Sequence, residues 1–126
     1  MTTSAKTVRG LGSAGAGTQH HIRQRVTALA LIFLVPWFLY SIIVACKAGY
    51  EGALAWAAQP VNAILLILTL SAALYHMRLG IQVVIEDYIA KSGTRQALLI
   101  LNTFAVIALA AATILSVLKI WFTAGA

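Results

Sequence analysis

The chain has 126 residues, 61% of them hydrophobic and 10% charged, with a mean hydropathy of +0.91. A soluble domain of this size has too little interior to hide so much apolar surface, so the composition excludes a water-soluble globular protein and predicts an all-α integral membrane protein. The formal net charge of +6 flanks the apolar runs and forms no basic face, which argues for topogenic and lipid-headgroup roles and against nucleic acid, while the single Cys46 excludes an internal disulfide or a thiolate cluster.

Residues 1–25 read as an extramembrane arm. Its first 19 residues are small, polar and Gly-rich, with Lys6 and Arg9 and no acid, and are expected to be flexible or ordered only against a partner. The cluster His20-His21-Ile22-Arg23-Gln24-Arg25 follows at the membrane edge. It is either a positive-inside anchor or a surface site for anionic groups. Paired histidines without a nearby Cys or third His are a weak metal signal.

The rest, residues 26–126, is expected to form one three-helix transmembrane domain, with helices at about 26–48, 61–85 and 97–120. Pro36 falls near the middle of the first and is expected to kink it. Ile43-Val44-Ala45-Cys46 resembles a lipoprotein cleavage box, but both the lead-in and the apolar stretch before it are too long for a signal peptide. Residues 49–60, with Gly49, Gly52 and Pro60, are expected to be a short loop, with Tyr50 and Trp56 at the membrane interface. Glu86 to Gln96 reads as the next loop, turning at Ser92-Gly93. The third run carries no buried ionisable residue, and its work is packing.

The second run holds the chemistry. An ionisable residue deep in a hydrocarbon-compatible segment is expensive, which makes His76 a functional candidate. On a helix, steps of 100° bring Thr69, Ala72, Ala73, Gly80 and Asp87 close to the angle of His76, and Asp87 lies roughly 16 Å further along the axis. A flat, bulky ligand has room against this face, with the imidazole as its donor and Gly80 leaving its path clear. Arg78 points about 200° away, towards lipid or another chain.

Lys and Arg near the ends of the runs set the orientation. Lys6, Arg9, Arg23, Arg25, Lys91 and Arg95 lie on one side and Lys47 and Lys119 on the other, which places the N-terminus and the Tyr88 end in the cytoplasm and the C-terminus outside. A single buried histidine cannot supply two axial ligands to a haem, so any such chemistry needs a partner subunit.

The residues carry a resemblance. His76-x3-Gly80-x3-Val84-x2-Asp87-Tyr88, in the second of three transmembrane helices, is similar to the signature of the hydrophobic membrane-anchor D subunits of succinate dehydrogenase (complex II). Arg25-Val26-Thr27-Ala28 resembles the Arg-x-Thr-Ala that opens their first helix. The similarity covers the chain from about residue 20 onward and does not require Arg78.

The resemblance implies that His76 is one axial ligand of a b-type haem iron, the second coming from the C subunit. It implies that Tyr88 donates a hydrogen bond to a ubiquinone carbonyl in a site shared with the C and iron–sulfur subunits. Asp87 would orient a neighbouring cation or water, and Arg25 would pair with a haem propionate or stand in the site as a cation. Thr27 reads as a backbone-bonding helix residue. Flavin and iron–sulfur clusters would reside in the flavoprotein and iron–sulfur subunits, at the inner membrane of a bacterium, and the chain would not be catalytic alone. Two other readings stand beside this one: a small multidrug-type exporter, which needs a fourth helix and a membrane-embedded carboxylate, and a structural assembly subunit in which His76 only packs.

Overall fold

The computed structural model describes residues 14–124, which form α1 (Ala14–Lys47), α2 (Gly49–Ala58), α3 (Pro60–Tyr88) and α4 (Ser92–Ala124), with no strand among them. The arm expected at residues 1–19 lies mostly outside the described residues. Its last part and the cluster at His20 to Arg25 belong to α1.

Three helices are long and apolar enough to cross a membrane. Each outruns the hydrocarbon: α1 has 34 residues, α3 has 29 and α4 has 33, so each is well over the ~30 Å that a core requires. This is why the helices extend past the expected limits. Apolar periodicity marks only the part of a helix that lipid covers, whereas backbone hydrogen bonding carries the coil on into the polar residues at its ends. Hence Ser92-Gly93, expected to be a turn, opens α4, and the connection shrinks to residues 89–91.

The expected loop at residues 49–60 is also largely helical. Gly49 takes φ 74°, the left-handed conformation that ends α1 without steric cost. The Ala-rich stretch after it then starts a new helix. Gln59 is held extended (ψ 132°) by the proline that follows, and Pro60 opens α3, where a missing N–H costs nothing. The Asn62 amide donates to the Trp56 carbonyl at 2.9 Å and to Gln59 Oε1 at 3.1 Å, closing this corner.

The centre of the molecule is α3. It packs against α4 and α1, which do not meet each other, and α2 fills the space between the far ends of α1, α3 and α4. At that end Ala57, Ala63, Leu66 and Val117 form a buried cluster, with Trp37 and Trp56 packed against it, their rings 6.0 Å apart and tilted by 31°. Small side chains let helices approach where no hydrophobic force drives them together, and Ser41, Ala45, Ala63 and Thr69 are accordingly buried. Most large apolar side chains face outward, Phe33 and Ile32 among them. A surface of this kind is covered by lipid or by other helices.

Arg78 departs from expectation. Its Nε and Nη2 donate to Thr103 Oγ1 of α4 at 3.4 and 3.3 Å, and its carbonyl accepts from the buried Asn102 amide at 3.0 Å. The guanidinium is thus held within the chain, at the α3–α4 seam.

A candidate cofactor site between the first and third helices

His76 is half-buried on the face of α3 that meets α1. Its Nδ1 lies 3.0 Å from Thr27 Oγ1, and the same hydroxyl lies 2.9 Å from the Arg23 carbonyl and 3.0 Å from the Gln24 carbonyl of its own helix. No described side chain hydrogen-bonds Nε2.

Beside the imidazole runs an open groove of about 420 Å³, lined by His76 and by Ala28, Leu31, Ile32, Val35 and Pro36 of α1. Its walls are hydrocarbon, and Pro36 contributes no N–H to them. A larger opening, of about 650 Å³, lies at the opposite end of the bundle around Glu51 and Pro60, away from His76 and the charged residues of the motif.

Arg25, Ala28, Ile32 and Pro36 are spaced i, i+3, i+7 and i+11, so they form one stripe of α1. Arg25 is exposed at the head of the stripe that lines the groove, roughly 4.5 Å of rise beyond Ala28. Gly80 is placed differently. A Cβ there would meet the Gln24 amide at 3.9 Å, and Gly80 does not line the groove. There is room for a methyl group at this point of the α1–α3 seam, one turn from the Thr27–His76 contact. Gly80→Ala is therefore expected to be tolerated, an ordinary contact replacing a small gap. Gly80→Leu should force the helices apart at a cost of about 1–3 kcal/mol, read as a lowered thermal midpoint of the detergent-solubilised protein.

Asp87 and Tyr88 end α3, both exposed, with Tyr88 at 82%. They lie at the same end of the bundle as Arg25, because Gln24 packs beside Gly80 on the antiparallel helix. The structure thus sets His76 at the groove, Arg25 on the stripe of α1 that lines it, Asp87 and Tyr88 exposed at the end of α3, and Gly80 opposite Gln24 outside the groove lining. Thr27 is the member whose reach to His76 sequence reasoning missed. A Thr in the first turns of an apolar run reads as bonding its own backbone, which it also does.

The succinate dehydrogenase/fumarate reductase transmembrane subunit family matches residues 1–119. The chain belongs to this family. Membership agrees with the three spans and the motif around His76, and leaves the exporter reading without support. Relatives include succinate dehydrogenase hydrophobic membrane anchor subunits of Rickettsia bellii, 40% identical over 71% of this chain and 71% of the relative, and of Paracoccus denitrificans, 36% identical over 79% and 77%. The corresponding protein of Rickettsia conorii is 35% identical over 71% of this chain and 72% of its own. No solved structure matches the chain.

Proposed function

We propose that this family member is a membrane anchor subunit of succinate:ubiquinone oxidoreductase that supplies one axial ligand to a b-type haem and one wall of the ubiquinone site. The observation that carries the proposal is the setting of His76, a half-buried imidazole beside an open, apolar groove with an arginine at the groove's head.

The residues fit a haem. The groove walls are apolar, the donor is a nitrogen base, and Arg25, one turn beyond Ala28 on the same stripe, would offer a propionate a bidentate cation. The groove is open on one side, as half of a shared site must be, and a second ligand would come from the partner anchor subunit. When bound, such a haem would supply one-electron transfer. His76 would hold and orient the group, Arg25 would neutralise one of its carboxylates, and the apolar walls would exclude water.

At the rim, the Tyr88 hydroxyl donates a hydrogen bond to a ubiquinone carbonyl and stabilises the charge that develops on that oxygen during reduction. Asp87 next to it orients a cation or water that delivers the proton. Flavoprotein and iron–sulfur subunits dock at this end, and the surplus of Lys and Arg there supports its lying on the cytoplasmic side of a bacterial inner membrane, with the C-terminus in the periplasm.

The test is to purify the native complex through a tag on this chain and record a reduced-minus-oxidised spectrum. Co-purifying flavoprotein, iron–sulfur and second anchor subunits with a b-type α-band are expected. A complete complex without haem would leave His76 a packing residue in a structural anchor.

A further inference from the structure

We propose that Thr27 is the positioning residue that decides which nitrogen His76 offers to iron, an inference that rests on the haem reading above. A threonine hydroxyl has one hydrogen and two lone pairs. The Arg23 and Gln24 carbonyls, at 2.9 and 3.0 Å, can use that hydrogen only as acceptors. A lone pair of Oγ1 is then left towards His76 Nδ1 at 3.0 Å. That approach is attractive only when Nδ1 carries the ring proton.

The neutral imidazole is therefore the Nδ1–H tautomer, with its lone pair on Nε2. The reverse arrangement, with the hydroxyl donating to Nδ1, gives up the carbonyl bonds and puts a proton on Nε2, where it blocks ligation. The Gln24 and His76 contacts are partly buried and the Arg23 contact is exposed, so water offsets only part of that loss. The relay from Nδ1–H through the hydroxyl to the α1 backbone has two consequences. It fixes the plane of the ring, and it makes Nε2 a stronger donor, which favours ferric over ferrous iron.

The test is a redox titration of the haem in the purified complex for the native chain, Thr27→Val and Thr27→Ser. Removing an outer partner of a ligating histidine typically changes metal affinity by 10–100-fold. At the lower limit, Thr27→Val raises the preference for ferrous iron about tenfold, an upward shift of 59 mV for a one-electron couple. The low-spin ferric g values move with it, and Thr27→Ser, which keeps the hydroxyl, restores both. An unchanged potential in Thr27→Val, or a shift that Thr27→Ser shares, overturns the proposal. Should Thr27→Val lose its haem, a native potential in Thr27→Ser supports the proposal, and loss of haem there too overturns it. Failure of the haem reading itself is told apart because it appears in the native complex, before any substitution.

Discussion

Replacing His76 by alanine is expected to abolish or displace the b-type α-band of the complex and to lower its haem content by at least about tenfold, since the loss of even an outer-sphere partner of a metal ligand is felt on that scale. The loss would not be an unfolding effect. The Thr27 hydroxyl keeps the Arg23 and Gln24 carbonyls as partners when the imidazole is gone, and one interhelical hydrogen bond in a membrane contributes only about 0.6 kcal/mol. The α1–α3 seam, held along its length by apolar and small residues, should persist, and the subunits should still co-purify. The check is a reduced-minus-oxidised spectrum beside a subunit gel. A variant with an unaltered spectrum would return His76 to a structural role.

The second large effect is expected at the rim. Tyr88→Phe keeps the ring and deletes only the hydroxyl of a side chain that is 82% exposed at the end of α3. Its contribution to packing within the chain is therefore small, and any change reports on what the hydroxyl donates to. Removal of a single donor aimed at developing oxygen charge costs on the order of 10²-fold in turnover, so succinate-driven ubiquinone reduction should fall by about that factor while haem content and spectrum stay native. The paired outcome matters: His76→Ala acts on the spectrum and Tyr88→Phe on quinone turnover alone. Native turnover in Tyr88→Phe would remove the phenol from the site.

Much of this molecule is legible in the chain, because lipid is a demanding solvent. Three long apolar runs must become helices where no water can satisfy the backbone, and His76 shows itself by its cost in such a run. The parts that were not legible have physical reasons. Helix α2 was hidden because Gly49, Gly52 and Pro60 are loop signals when read one at a time. In the folded chain the φ of 74° at Gly49 ends one helix, and Pro60 begins the next. Helix ends were hidden because hydropathy stops where the lipid does, whereas hydrogen bonding runs on. The fate of Arg78 was hidden because the angle of a side chain on its own helix does not say which helix stands opposite.

What the sequence alone determined was the environment, the number of spans, the pole of the bundle that carries charge, and the histidine worth asking about. All of these follow from the periodicity and hydration cost of single segments. Only the tertiary structure decided that α3 is central, that α1 and α4 stay apart, and that the groove lies beside the Arg25 stripe while Gly80 faces Gln24. It alone set Thr27 against His76 across 49 residues of sequence. Such a pairing depends on which faces of two helices come together, and no local propensity encodes that.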